Sequence, residues 1–494
     1  MKLKIVELFK KIYLSKWFSF LIILIGVAIR LRQYFFNRSL WLDEAMLALN
    51  IIKYNYTDLL KPLDYNQTAP PLFLIIVKFL TKIFGYQEQI LRLFPLLAGI
   101  VSLFLFWYIA DKFLNKFIVP LALVLLSFSR YAIYFSNEFK QYSVDLMVTI
   151  IILIMGFYLY KKNLDLKNII LICISGTVLI FTSDISIFIL ATISVSLFVL
   201  FLLEKKPKDI RKFLKIIFIS LFWFFSFLIN YLFIIKERVN NYLLGYWQGS
   251  FAPIHISSIN DLLWYPKTIL DLINNPLYLY FPGIVLFLIF VGLVYLYKNN
   301  EKFYFLILIL PIFFTFIASI LKFYPIYNRL MVFTLPILYL IISKGFEYFS
   351  CKFRKDIIII IFLTLLILFQ PLIYSSRSLI IPRYSQETRP AINYYLNHKS
   401  KNDKIYVYYN TEPAFLYYTR NIKVNYIKGK GTWDDPEAYF NEVKTFNIKG
   451  RIWFIFSHVR GNEKDIFVKK LNEIGKKLDE LETPGASLYL YNIN

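Results

Sequence analysis

Cysteine, histidine and acidic residues are scarce in this chain: 2, 3 and 32 of 494 residues, with charged residues of all kinds at only 18 %. Two thiols exclude a disulfide framework and a cysteine metal centre. The three histidines, His255, His398 and His458, are too scattered to suggest a zinc site by spacing. An ordinary soluble protein carries roughly 25 % charged residues, so the deficit excludes a soluble globular enzyme. What fills the chain is apolar: 58 % of residues are hydrophobic and 19 % aromatic, with 50 Phe and 38 Tyr. Apolar runs of about 17 to 22 residues recur, the length that crosses a hydrocarbon core of roughly 30 Å as helix. The formal charge of +24 would suggest nucleic acid in a soluble protein. In a multispan chain it is read loop by loop, and no nucleic-acid partner is expected.

The first 16 residues carry Lys2, Lys4, Lys10, Lys11 and Lys16 ahead of an apolar run from Trp17. That run ends in Arg30, Leu31, Arg32, Gln33 and Tyr34 with no small-residue cleavage site, so it reads as an uncleaved span with a cytoplasmic N-terminus. Further spans are expected at about 90–110, 117–136, 144–160, 168–183, 185–203, 214–235, 279–297, 303–321, 329–349 and 357–374, about eleven in all. The inner loops are then 111–116, 161–167, 204–213, 298–302 and 350–356, each with a basic excess, while 37–89, 137–143, 184, 236–278 and 322–328 face outward. Residues 70–84 are apolar but only 15 long, and Lys78 and Lys82 share one helical face. Counting them as a span would turn 161–167 and 204–213 outward, against the positive-inside rule, so they read as a helix lying at the outer interface.

An odd count puts the tail outside as well. From about 375 it has charges throughout, β-like runs at 404–409, 452–456 and 487–491 and a helical pattern at 463–480, the marks of a small α/β domain. The division is thus 1–374, an all-α polytopic membrane domain, and 375–494, extracytoplasmic.

Ionisable residues are costly in lipid, so their placement is informative. They gather at the outer ends of the spans. The first outer loop opens Arg38-Ser39-Leu40-Trp41-Leu42-Asp43-Glu44-Ala45, and the second outer turn reads Phe135-Ser136-Asn137-Glu138-Phe139-Lys140-Gln141-Tyr142, with Asp145 one turn into the next span. Two crossings separate these motifs, so both return to one face and can share a cleft. Clustered carboxylates there suit a divalent cation or a general base. Arg92, Lys140, Lys322 and Arg329 suit a phosphate. A purely structural reading stands beside these: Asp43 or Glu44 as a helix cap, Arg92 and Arg329 as snorkelling cations.

In order along the chain, Trp41-Leu42-Asp43-Glu44-Ala45, Ala69-Pro70-Pro71-Leu72-Phe73, Leu91-Arg92-Leu93-Phe94-Pro95, the Tyr134–Tyr142 stretch, Asn328-Arg329-Leu330 and, in the tail, Glu387-Thr388-Arg389-Pro390-Ala391 and Ser457-His458-Val459 are similar to one family. This ordered set resembles the polyprenyl-phosphate-sugar-dependent enzymes of the C-type glycosyltransferase (GT-C) superfamily, the group that includes bacterial protein O-mannosyltransferases and lipid A aminoarabinose transferases. Lys140 stands where many relatives have Arg, and Ala69 where many have His.

The resemblance implies a GT-C-like membrane domain with juxtamembrane helices in the first outer loop, located in a bacterial plasma (inner) membrane. It implies transfer of a sugar from a polyprenyl-phosphate donor to a hydroxyl of a lipid, glycan or protein acceptor at the outer face, with inversion. On that basis Asp43 is the expected base, Glu44 and Glu138 supporting carboxylates, and Lys140, Arg329 and Arg92 the donor-phosphate ligands. No cofactor is expected, although Asp43, Glu44 and Glu138 together would suffice for one hard cation. The rival readings are a polyprenyl-lipid transporter or flippase, which would place ionisable groups at the midplane where 150–155, 200–203 and 357–368 have none, and an inactive scaffold of the same fold.

Overall fold

The structure is a computed structural model that describes residues 11–162, 164–203, 209–352, 357–431 and 449–493. Part of the expected inner-loop charge, at 204–208 and 353–356, and the lysines at positions 2, 4 and 10 lie outside the described residues. Among those described, eight helices are long and apolar enough to cross a bilayer: Lys16–Phe36, Glu88–Phe113, Tyr142–Lys161, Ser186–Leu203, Ile210–Arg238, Lys302–Ile320, Asn328–Lys352 and Ile358–Ile380. A ninth arises if Ile259–Leu277 and Pro282–Lys298, bent by 95°, are counted together. Burial separates centre from rim. Over the most apolar 18 residues of each, the buried share is 94 % in Asn328–Lys352, 72 % in Tyr142–Lys161 and only 17 % in Ile358–Ile380, whose Ile, Leu and Phe side chains are left to lipid. Pro282–Lys298 and Leu335–Lys352 approach backbone to backbone at Gly292 and Gly345, where a Cβ on either would collide with the other helix's carbonyl.

The expected span 168–183 is the 17-residue helix Leu166–Thr182. The expected span 117–136 is corrected: it is two short helices, Val119–Ser127 and Arg130–Phe135, interrupted at Phe128 and Ser129. The break is tolerated because its backbone groups find partners. Arg30, buried in the first span, donates 2.9 Å hydrogen bonds to the carbonyls of Ser127 and Gly26, and the Ser129 hydroxyl accepts from the Ala132 N–H at 3.4 Å.

Residues 70–84 form the helix Pro71–Phe84, 14 residues long, or about 21 Å at 1.5 Å per residue, short of the roughly 30 Å hydrocarbon core. Lys78 is buried rather than solvated, and its ammonium caps the helix Leu42–Lys53 by donating to the Ile51 carbonyl at 2.5 Å. The first outer loop is thus a packed layer.

The C-terminal part is a five-stranded mixed sheet in the order β2 (Ile427–Lys428), β1 (Lys404–Val407), β3 (Gly450–Ser457), β5 (Ala486–Ile493), β4 (Gly475–Thr483). β3 is apolar from Ile452 to Phe456 because both faces are covered there. Trp453 and Ile455 pack with Tyr395 and Phe415 of the helices Thr388–His398 and Glu412–Tyr418, while Phe454 and Phe456 pack with Phe467 of Glu463–Ile474. The helix expected at 463–480 stops at Ile474, since 475–483 pairs antiparallel with β5 through a turn at Gly485, whose φ is +75°.

This unit is pinned to the first outer loop. Glu387 accepts hydrogen bonds from the Ser39 N–H (3.2 Å) and hydroxyl (2.8 Å), the Tyr418 hydroxyl accepts from the Leu40 N–H at 2.8 Å, and Arg389 pairs with Glu88 at 2.6 Å.

Candidate active site

The motif after the first span folds as a helix, Leu42–Lys53, whose first turn carries Asp43 and Glu44. Being consecutive, these two carboxylates point about 100° apart, and they enter different environments. Glu44 points inward and is fully buried. Arg92 grips it in bidentate fashion, Nε to Oε1 at 2.8 Å and Nη2 to Oε2 at 2.7 Å; the Phe139 N–H adds a 2.7 Å bond and Arg38 lies at 3.3 Å. Burial alone would raise the Glu44 carboxyl, but the charges of Arg38 and Arg92 hold it below the usual carboxylate range. Glu138 lies 3.7 Å from Arg38 without hydrogen-bond alignment. Burial, with the charge of Glu44 beside it, pushes the Glu138 carboxyl up to about 7. Glu44 thus holds together the span at 88–113, the first outer loop and the turn at 136–141.

Asp43 points outward into a cavity of about 370 Å³. Its Oδ2 accepts from Arg329 Nη1 at 2.8 Å. That guanidinium also stands 5.8 Å from the Trp41 ring centroid and 5.6 Å from that of Trp247. Lys140 lines the same cavity and donates to Gln67 Oε1 at 2.6 Å, and burial lowers its pKa below the usual lysine value. Deeper in, Asp145 accepts from the Ser183 hydroxyl at 2.6 Å. Neighbouring Asp184 is pushed up to about 6 by burial, against the pull of Arg238. His458 of the C-terminal sheet closes one wall: its ring faces Trp41 at 6.2 Å, its Nδ1 accepts from Gln386 Nε2 at 2.5 Å, and Gln386 Oε1 accepts from the Leu42 N–H at 3.2 Å. Burial lowers the His458 pKa, which favours the neutral ring.

Of the residues singled out in the sequence, the structure brings Asp43, Lys140, Lys322 and Arg329 to the cavity wall and leaves Glu44, Glu138 and Arg92 behind it. Arg92, expected at a donor phosphate, has other partners here. Besides Glu44 it donates to the carbonyls of Arg38 (2.7 Å) and Ser39 (3.1 Å), so its donors are used in holding the loop. A hard cation held jointly by Asp43, Glu44 and Glu138 is likewise not what the geometry offers, because each has a guanidinium partner. Among the described residues no cluster of three or more His, Cys, Asp or Glu is arranged to hold a metal. The sequence reading missed Arg238, which reaches back to the carbonyls of Leu59, Lys61 and Ala69 and joins the end of a span to the first outer loop. Its one signal was a charged triplet, Lys236-Glu237-Arg238, closing an apolar helix.

Three solved structures superpose on almost the whole chain. The oligosaccharyltransferase of Archaeoglobus fulgidus, in complex with Zn and sulfate, aligns with a TM-score of 0.55 at 11 % identity, over 96 % of this chain and 73 % of that one. ArnT from Cupriavidus metallidurans bound to undecaprenyl phosphate aligns at 0.52 and 11 %, over 94 % of this chain and 97 % of that one. Its apo state gives 0.52 and 10 % over the same shares. This chain has the GT-C fold. A family model described as dolichyl-phosphate-mannose-protein mannosyltransferase matches residues 68–244, a stretch that includes the helix Pro71–Phe84 and Arg238. No curated protein matches the chain in sequence.

Proposed function

We propose that the chain is a polyprenyl-phosphate-dependent membrane glycosyltransferase that moves a sugar to an acceptor hydroxyl, with inversion. The observation that carries this reading is the Asp43–Arg329 pair at 2.8 Å in a cavity shared with Lys140, where a carboxylate and two cations face the same space. The likeness to ArnT, solved with undecaprenyl phosphate, supports the donor class.

The chemistry needs a group to take the acceptor proton and groups to stabilise the leaving phosphate. The acceptor oxygen attacks the anomeric carbon from the side opposite the phosphate, the bond from that carbon to the phosphate oxygen breaks, and the acceptor proton goes to Asp43. The polyprenyl phosphate leaves as an anion facing Arg329 and Lys140, whose charge acts more strongly in a site shielded from water. The cationic build-up on the sugar is of the kind met in glycoside hydrolysis. Asp43 rests on the guanidinium assigned to the phosphate, so donor binding competes for Arg329 and frees the carboxylate for the acceptor. Glu44, Arg92 and Arg38 position the first outer loop; Glu138 is a positioning carboxylate in the same cluster. The wall of Trp41, Trp247, Tyr242 and Tyr246 suits a sugar face or an isoprenoid chain.

We further infer a cytoplasmic N-terminus, residues 1–374 as the transferase domain and 375–494 as an extracytoplasmic domain that closes the cavity through His458, in a bacterial inner membrane. The acceptor class is a lipid, glycan or protein hydroxyl.

Purified protein in nanodiscs, offered a panel of labelled polyprenyl-phosphate sugars and native membrane extract, is expected to transfer label from one donor and give a product of opposite anomeric configuration. Tight donor binding without transfer to any acceptor would contradict the reading.

A further inference from the structure

A second meeting of charge and aromatic surface lies away from the cavity. Arg130 opens the helix Arg130–Phe135, just past the break in the expected span 117–136. Its guanidinium stands 4.3 Å from the ring centroid of Tyr278, 5.5 Å from Tyr374 and 5.6 Å from Tyr131. These rings come from three separate elements: the same helix, the bend after Ile259–Leu277, and the rim helix Ile357–Ile380. None of the four residues lines the active-site cavity.

Among the described residues Arg130 has no carboxylate partner, and its Nε–H is buried without an acceptor. Contact with aromatic faces stabilises a guanidinium, but an unmade hydrogen bond on a buried group is costly, and more so when the group is charged. The rings engage the guanidinium's faces, and its N–H edges call for oxygen acceptors.

The surroundings supply the rest of an anion site. Arg383 stands 4.5 Å from the Tyr134 ring, one turn along the same helix from Tyr131, and its charge reaches the Tyr131 hydroxyl together with that of Arg130. Its backbone is fixed by Gln33, which accepts from the Arg383 N–H at 2.8 Å and donates to its carbonyl at 3.0 Å. Tyr131 is held by donating to Asn275. On the rim helix just before Tyr374, Phe369, Leu372 and Ile373 are exposed apolar side chains.

We propose that Arg130, caged by Tyr131, Tyr278 and Tyr374 and assisted by Arg383, binds the phosphate headgroup of a membrane lipid at a lateral site distinct from the active-site cavity. A phosphate presents paired oxygens to the planar fork, and the flanking apolar face receives the lipid chain. An anionic phospholipid and a polyprenyl phosphate share this headgroup chemistry. The proposal does not rest on the transferase reading.

The test is native mass spectrometry of the full-length protein titrated separately with phosphatidylglycerol, undecaprenyl phosphate and, as a control without phosphate, undecaprenol. Arg130→Gln is expected to weaken binding of at least one phosphate lipid tenfold or more and to leave undecaprenol unchanged. Loss confined to phosphatidylglycerol assigns a phospholipid, loss confined to undecaprenyl phosphate assigns the carrier lipid, and loss of both assigns headgroup recognition without chain selectivity. Unchanged binding of both phosphate lipids, or an equal loss of undecaprenol, overturns the proposal. If Arg130→Gln is not recovered folded, Arg383→Gln decides by the same measurement: tenfold weaker binding of a phosphate lipid supports it and unchanged binding overturns it.

Discussion

Asp43 and Arg329, 286 positions apart in the chain, meet at 2.8 Å in the cavity wall, with the guanidinium beside Trp41 and Trp247. Each neutralises the other, and on the proposed function a donor phosphate competes for the arginine. Arg329→Gln is therefore expected to lower kcat by about 10²–10³, the usual effect of removing a group that stabilises charge in the transition state. Arg329→Lys keeps the charge but not the planar fork, and falls between. Steady-state transfer assays in nanodiscs check both, and wild-type kcat in Arg329→Gln would refute the assignment.

Glu44 sits between two buried guanidiniums. Glu44→Gln leaves both without their counter-charge, and breaking a buried pair this way costs about 3–5 kcal/mol. The expected result is a lower Tm in detergent together with loss of activity. An unchanged Tm would show that the cluster does not hold the loop.

Glu138 gives the fold a pH dependence of defined sign. Its carboxyl is pushed up to about 7 in the folded chain by burial and by Glu44, against an ordinary value of 4.5. The unfolded chain gives up this proton first as pH rises, so the contribution is fully present below about pH 4.5 and is lost as pH rises to about 7. Thermal unfolding at several pH values is expected to show this loss in the wild type and a flatter profile in Glu138→Gln.

Because Asp43, Glu44 and Glu138 each lie beside a guanidinium, cationic side chains are the expected counter-charge for the leaving phosphate. Transfer is expected to persist after EDTA treatment. A loss restored by added divalent cation would contradict this.

Much of this arrangement was legible in the sequence because it depends on local pattern. Apolar runs locate eight of the eleven expected spans among the described residues, and Trp41–Glu44 and Ser136–Lys140 meet, the Phe139 N–H donating to Glu44. What was not legible depends on distant partners. The break at Phe128 is held by Arg30, 97 positions from Ser127. Arg92 next to apolar neighbours has the same local pattern whether it faces a phosphate or grips Glu44. The helical pattern at 475–480 gives way because β5 offers an edge that pairs with it. Arg238 and Gln67 reach the site through loop packing that leaves no periodic signal.

The most direct measurement compares Asp43→Asn with the wild type in single-turnover transfer and in donor binding, using the labelled polyprenyl-phosphate sugar that the wild type consumes. A general base contributes typically 10²–10⁴-fold. Transfer slowed by about that factor, with donor binding retained, is the predicted result. Transfer at the wild-type rate would contradict the account.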